Sequence, residues 1–373
     1  MDAPSDSGSE PASHAALRNE VLRGLREHPK TLSPRLFYDA AGAALFERIT
    51  TLEEYYLTRA ELEILRARVR ELAALAGSGC ALIEYGSGAG MKVRFLLNAL
   101  DAPAAYVPID ISRTQLTRVA AELIAEYPRL AVSPVYADYS APFRLPALPA
   151  GARRVGFFPG STIGNFHPTD AAAFLRRVRH TVGPNGALVL GVDRRKDPRV
   201  LLAAYDDAEG VTAAFNRNVL RRLNRELDAD FDLARFRHHA VWNDEASRME
   251  MHLASVGAQI VTVAGESIAF APGETIWTES SYKYDRPRLE RLVRDGGFAL
   301  TRLWTDTAEQ FWLAFLTVAR SDERGSDPRW PDAAADHAPK HDPVPGRDLD
   351  LPADVTRPNK LAEMITSKEN QTG

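Results

Sequence analysis

Residues 81–90 read Ala-Leu-Ile-Glu-Tyr-Gly-Ser-Gly-Ala-Gly: an apolar run carrying one acid, Glu84, then glycines at Gly86, Gly88 and Gly90. A helix over Val93 to Leu100 follows, then a strand Tyr106-Val107-Pro108-Ile109 ending on Asp110. A third strand, Ala131 to Tyr136, leads to Asp138. Glycines at a strand-to-helix turn let backbone approach a ligand where a Cβ would clash. A carboxylate ending the second strand can accept hydrogen bonds from both hydroxyls of a ribose. One after the third strand can meet the amino group of a base. Each acid alone could be a helix cap or a turn former. Three at successive strand ends point to a ligand that contains a nucleoside.

The spacing separates one nucleoside ligand from another. Dinucleotide-binding turns run G-x-G-x-x-G and seat a pyrophosphate on the helix N-terminus. Here the pattern is G-x-G-x-G, and Glu84 stands two residues before the first glycine. That acid would repel a pyrophosphate, but it suits the ammonium and sulfonium groups of S-adenosylmethionine. Glu84-x-Gly86-x-Gly88 resembles the first motif of class I methyltransferases.

The elements that must hold these residues alternate strand and helix. Apolar residues fall at helical spacing from Glu61 to Ala76, and strands then alternate with helices as far as Asp193. The fourth strand ends at Phe157-Phe158 before Pro159-Gly160-Ser161, and the fifth spans Ala187 to Val192. Such alternation predicts a doubly wound parallel sheet with its ligand at the carboxyl ends of the strands. Beyond Asp193 the pattern changes. Val200 to Leu227 reads as helix interrupted near Gly210. Phe236 to Tyr284 alternates like antiparallel strands, with turns at Asn243-Asp244, Gly257 and Pro272-Gly273. A helix over Arg286 to Arg294 and strands Ala299 to Trp304 and Phe311 to Val318 would complete a seven-stranded Rossmann-like α/β sheet. The expected organisation is therefore a disordered tail at 1–13, and a sheet domain built from 61–195 and 284–320. An inserted α+β lobe occupies 196–283, with 14–60 packed against it. A mostly disordered tail fills 321–373, with a short helix near Lys360 to Thr366.

Composition narrows the function. Lysine and arginine number 46 against 50 acids, a net charge of −4 that gives no general reason to expect nucleic-acid binding. The run Arg194-Arg195-Lys196 reads as a solvated loop. A single cysteine, Cys80, excludes an intrachain disulfide and a cysteine-cluster zinc site. His238 and His239 share a strand, where neighbours face opposite sides, so they do not form a joint metal site. No apolar run approaches the length of a membrane span and nothing resembles a signal peptide. A cytoplasmic monomer acting on a small molecule is expected, with no metal, membrane or nucleic-acid partner.

Longer motifs carry a resemblance. These are Leu36-Phe37-Tyr38-Asp39, residues 52–59 (Leu-Glu-Glu-Tyr-Tyr-Leu-Thr-Arg), Gly160-Ser161-Thr162-Ile163-Gly164-Asn165-Phe166, residues 205–216 and Thr278-Glu279-Ser280-Ser281-Tyr282-Lys283. Together they resemble the histidine-specific Nα-methyltransferases of ergothioneine biosynthesis over roughly residues 15–320. The resemblance implies a class I methyltransferase fold and conversion of histidine to its trimethyl betaine, hercynine. It implies a cofactor site of Glu84, Gly86, Lys92, Asp110, Asp138, Tyr139 and Gly160. Tyr38, Tyr55, Asn165 and Tyr205 would be the catalytic set. Tyr55, Asn165 and Tyr205 would hold the amino and carboxylate groups of the amino acid, with Tyr38 and Thr212 nearby. Glu279 and Ser281 would bind the imidazole, and Met251 would shape its pocket. The chain departs from the family at Ala89-Gly90-Met91-Lys92-Val93, where polar residues and then Lys-Thr are usual, and at Tyr139, where phenylalanine is common.

These residue types suit the chemistry. Methyl transfer from a sulfonium is an in-line displacement that needs a neutral amine lone pair aimed at the methyl carbon, so positioning supplies most of the rate. Tyrosines can accept from the first amine, and their rings attract the cation as N–H groups are replaced by methyls. Two further readings share these residues: a methyltransferase for another amino acid or amine, and an NAD-dependent oxidoreductase on the same βαβ unit. A non-catalytic cofactor-binding protein is a third.

Overall fold

The computed structural model describes residues 10–319. The first segment contains α1 (Glu10–Arg26), β1 (Lys30–Thr31), α2 (Ala40–Ile49) and α3 (Tyr56–Ala76). Strands then alternate with helices: β2 (Ala81–Tyr85), α4 (Met91–Ala99), β3 (Ala105–Asp110), α5 (Arg113–Glu126), β4 (Ala131–Val132), β5 (Val135–Tyr136), β6 (Arg154–Phe158), α6 (Pro168–Val182) and β7 (Ala187–Asp193). Next come α7 (Pro198–Tyr205), α8 (Val211–Glu226), β8 (Phe236–Asn243), β9 (Arg248–Ser255), β10 (Gln259–Val263), β11 (Glu266–Phe270) and β12 (Thr275–Tyr282). The chain closes with α9 (Arg286–Asp295), β13 (Phe298–Thr305) and β14 (Phe311–Val318).

The main sheet runs β13-β14-β7-β6-β2-β3-β4, with β5 also paired to β3. Its eight strands fill the seven expected positions, because the third predicted strand is split. Pro134 has no N–H for the ladder, so β4 and β5 are two-residue pieces along the same edge of β3. β2, β3, β6 and β7 are parallel and β14 antiparallel to β7. Alternate residues serve opposite faces. Leu82, Phe157 and Val189 pack towards α3 and α4, while Ile83, Phe158 and Leu190 pack towards α6 and α9. Gly90, at φ +68° before α4, has a second reason to be glycine. A Cβ there would come within 2.7 Å of Val119 Cγ1 on α5. The unusual residue in the loop is thus explained by helix packing.

The inserted segment, joined by β1, forms a second sheet, β1-β12-β9-β8, and a separate β10-β11 hairpin. The sequence pattern lacked the turn at Ala264-Gly265, where both residues have positive φ. The N-terminal segment is knitted to this lobe: β1 pairs in parallel with β12, and Phe37 stacks on Phe215 of α8 at 4.5 Å. The two connections between lobes run side by side, Tyr284 N donating to Asp193 O and Arg195 N to Tyr284 O, both at 2.9 Å. α1 begins at Glu10, inside the tail expected to be disordered. The rest of that tail, residues 320–373 and the short helix expected near Lys360 lie outside the described residues.

Candidate active site

Strand order reverses at β2. The chain leaves it for β3 and returns on the other side as β6, so a crevice opens at the carboxyl ends of β2 and β6. A cavity of about 460 Å³ fills that crevice and continues beneath the inserted lobe. Every candidate residue lies on its wall: Glu84, Gly86, Lys92, Asp110, Asp138, Tyr139 and Gly160 at the sheet end, and Tyr38, Tyr55, Asn165, Tyr205, Thr212, Met251, Glu279 and Ser281 around the rest.

At the sheet end, Asp110 shapes the glycine loop. Its carboxylate accepts Gly88 N at 3.1 Å and Ser112 N at 2.9 Å. Asp138 uses one oxygen, Oδ1, to accept Ser140 N and Oγ. Glu84 is buried and accepts the Tyr106 hydroxyl. Burial pushes its carboxyl up to about 8, against the pull of Tyr106 and Lys92. Lys92 forms an ion pair with the buried Glu61 at 2.5 Å, and the two Glu61 oxygens accept Gly160 N at 3.0 and 2.9 Å. Glu61 thereby ties the lysine to the turn after β6. Ser161 adopts a left-handed φ of +59° in that turn, an uncommon state for a residue with a Cβ. Its hydroxyl accepts Asp193 N at 2.8 Å. Ser87 Oγ is buried at the cavity wall without a partner.

Beneath the inserted lobe the wall is aromatic. Phe46 meets Tyr38, Tyr55 and Phe215 with ring centroids 5.9 to 6.3 Å apart. Burial holds the phenols of Tyr38, Tyr55 and Tyr205 well above their ordinary range. The three phenols are therefore neutral in the folded protein. Glu279 and Met251 face each other across the β12–β9 ladder, just past a register shift after Trp277. Burial pushes Glu279 up to about 7, although Lys283 and the Asn165 amide pull it down. Asp207 accepts Val211 N and Thr212 N at 2.8 and 2.7 Å, fixing the start of α8 beside the cavity.

Behind Tyr205 and Ser281 lies a buried charge network. Lys283 Nζ contacts Asp193 Oδ2 at 2.7 Å, Tyr205 Oη at 2.8 Å and Ser281 Oγ at 2.9 Å. Lys196 pairs with Asp193 Oδ1 at 2.5 Å and sits 3.9 Å over the Tyr56 ring, while Tyr56 Oη donates to Asp193. Burial alone would raise Asp193, but the two ammonium groups outweigh it and hold the carboxyl below its ordinary range. This corrects the reading of Arg194-Arg195-Lys196 as a solvated loop. Arg194 and Arg195 lie over Trp312 and Trp242, and only Lys196 turns inward, because Asp193 ends β7 with no water to solvate it.

Glu61, Phe46, Phe215, Asp193, Lys196 and Lys283 were missed by sequence reasoning. Glu61 leaves a trace: it is a charge at a position that α3 buries completely. His238 and His239 do part company. His238 bonds Asn216 and the Tyr205 carbonyl, and His239 is exposed. Among the described residues there is no cluster of histidine, cysteine and acids placed to hold a metal, and no helix long and apolar enough to cross a membrane.

A family model described as histidine-specific methyltransferase, SAM-dependent, matches residues 17–318. The chain belongs to the histidine-specific, S-adenosylmethionine-dependent methyltransferases. Its sheet is the class I methyltransferase arrangement, closed by the antiparallel β13–β14 pair. It is similar to the histidine N-alpha-methyltransferase of Mycolicibacterium smegmatis, 44% identical over 304 residues, covering 80% of this chain and 94% of the relative. The Mycobacterium tuberculosis enzyme of the same name is 42% identical over 82% of this chain and 96% of its own length. Ergothioneine biosynthesis protein 1 of Neurospora crassa is 33% identical over 82% of this chain but only 35% of that longer protein. The sheet end of this methyltransferase's cavity suits the cofactor: buried acid at Glu84, a free Asp138 oxygen and the unpartnered Ser87 hydroxyl are what an adenosyl ammonium compound needs.

Glu84 gives that fit a pH signature. A bound ammonium favours ionised Glu84, so below about pH 8 binding must expel a proton. The affinity for S-adenosylmethionine should fall by up to about tenfold per pH unit from 8 to 6. Glu84→Gln should flatten the profile. Calorimetry in buffers of different ionisation enthalpy checks this, and a wild-type profile as flat as that of Glu84→Gln would refute it.

Proposed function

We propose that this methyltransferase transfers three methyl groups in succession from S-adenosylmethionine to the α-amino group of L-histidine, giving hercynine for ergothioneine synthesis. The observation that carries the reading is the joint placement of Glu279, Ser281 and Met251 on one wall and the aromatic residues Tyr38, Phe46, Tyr55 and Phe215 on another. When bound, the cofactor supplies an electrophilic methyl on its sulfonium. Glu84, Asp110 and Asp138 would hold its ammonium, ribose and adenine, with Gly86, Gly160, Lys92 and Tyr139 around it.

On the acceptor side, Glu279 can take a ring N–H of histidine and Ser281 can give a proton to the other ring nitrogen. Asn165 both donates and accepts, so it can orient an amino or carboxylate group. Tyr205 donates to Ser281 at 2.7 Å and accepts from Lys283, which leaves it a lone pair and no proton for a ligand. It therefore faces an N–H. Neutral Tyr38 and Tyr55 accept from the amine, and the rings around them attract the methylated ammonium once its hydrogen bonds are gone.

The test is incubation of the full chain with histidine and S-adenosylmethionine, read by mass spectrometry. Mono-, di- and trimethylated histidine should appear in turn. Turnover with another amino acid and none with histidine would keep the class and overturn the substrate.

A further inference from the structure

We propose that Lys283 is a positioning residue that commits the Ser281 hydroxyl to donating its proton into the cavity, so that the site selects an acceptor ring carrying one unprotonated nitrogen beside one N–H. The inference rests on the histidine reading above and adds to it a residue that does not line the cavity.

The argument is a count of protons and lone pairs. Lys283 is buried, and an ammonium has three donors and no acceptor. All three are used, on Asp193 Oδ2, Tyr205 Oη and Ser281 Oγ, at 2.7, 2.8 and 2.9 Å. Tyr205 cannot donate back to the ammonium, and it sends its proton to Ser281 Oγ at 2.7 Å. Ser281 Oγ thus receives two hydrogen bonds and both its lone pairs are filled. Its own proton has no acceptor within this ring of three residues and points to the cavity, which Ser281 lines. Asp193 fixes Lys283 in turn, held by Lys196 and Tyr56 from the other side. Two residues earlier on β12, Glu279 presents the complementary acceptor. A donor next to an acceptor matches a neutral imidazole in one tautomer. Without Lys283, Ser281 and Tyr205 could reverse their mutual bond, and the donor would no longer be enforced.

Steady-state kinetics on the full chain tests this with histidine and with the two pyrrolylalanines, in which one ring nitrogen is replaced by C–H. Wild-type enzyme should use either analogue about 100-fold less well in kcat/KM, because the Ser281 proton is left unpaired. Lys283→Met should raise the KM for histidine about tenfold, leave the KM for S-adenosylmethionine within about twofold, and shrink the preference for histidine over the analogues about tenfold. Ser281→Ala/Lys283→Met should lose no more than about twofold beyond Ser281→Ala alone. Additive losses, or an equal rise in KM for both substrates, would overturn the role of Lys283. If melting curves show that Lys283→Met does not fold, the wild-type ratio decides, and analogue use within about threefold of histidine overturns the committed donor. Wild-type enzyme that turns over no histidine would instead overturn the functional reading itself.

Discussion

Glu279→Ala is expected to raise the KM for histidine by about 100-fold or more, while the affinity for S-adenosylmethionine stays within about twofold. Glu279 is the acid that the inserted lobe presents to the cavity, among the described residues lining it from β8 to β12. A hydrogen bond from a ligand N–H to a buried carboxylate contributes about 1.5–3 kcal/mol, and its loss also leaves the ring N–H unpaired in an enclosed site. The cofactor residues sit at the carboxyl ends of β2 and β3, so the two affinities should separate. Steady-state kinetics with each substrate varied in turn checks the claim; parallel loss of both would mean that Glu279 supports the whole cavity.

The same carboxyl predicts a stability effect of opposite sign. Burial raises its pKa from the ordinary 4.5 to about 7 in the folded protein, so the fold favours the protonated form. The folded state then binds more protons than the unfolded state between those values, and wild-type stability falls as pH rises through that window. Glu279→Gln removes the titration. Its melting temperature relative to wild type should rise from pH 4.5 to 7 and level off above, in thermal scans without ligand. A group needed for recognition is thus held at a cost to folding.

Asp110→Ala should weaken S-adenosylmethionine binding by about 100-fold, measured by calorimetry, with the KM for histidine little changed at saturating cofactor. Two charge-assisted hydrogen bonds to ribose hydroxyls account for about 3 kcal/mol or more. The variant also loses the acceptor for Gly88 N and Ser112 N, so the loop itself slackens. An affinity within about threefold of wild type would show that Asp110 serves only the loop.

The cofactor end was legible in the sequence because its requirements are local. Gly86, Gly88 and Gly90 all have positive φ, and Glu84 and Asp110 lie on neighbouring strands, β2 and β3, within one βαβ unit. The acceptor end was legible only through long motifs, since Tyr38, Asn165 and Glu279 come from three distant parts of the chain. Lys283 and Asp193 escaped because their pairing crosses ninety residues, and a charge at a strand end reads as solvated until its partner is seen. Pro134 was visible, yet its effect on the third strand depended on β3 being the neighbour that needs the N–H. Phe46 and Phe215 carried no sign beyond hydrophobicity, which serves a core and a cation-binding wall alike.

The two lobe connections, at Asp193 to Arg195 and at Tyr282 to Tyr284, lie side by side and are stitched by backbone hydrogen bonds and the Asp193–Lys283 pair. The insert therefore enters and leaves the molecule at one point. Tyr38, Tyr55 and Asn165, which would meet the part common to all amino acids, lie outside it, whereas Met251, Glu279 and Ser281, which would meet the variable part, lie within it together with Tyr205. Such a division makes acceptor choice a replaceable module: a lineage could remodel the strands of the insert and redirect methylation to a different amino acid, keeping the methyl donor and the contacts of Tyr38, Tyr55 and Asn165.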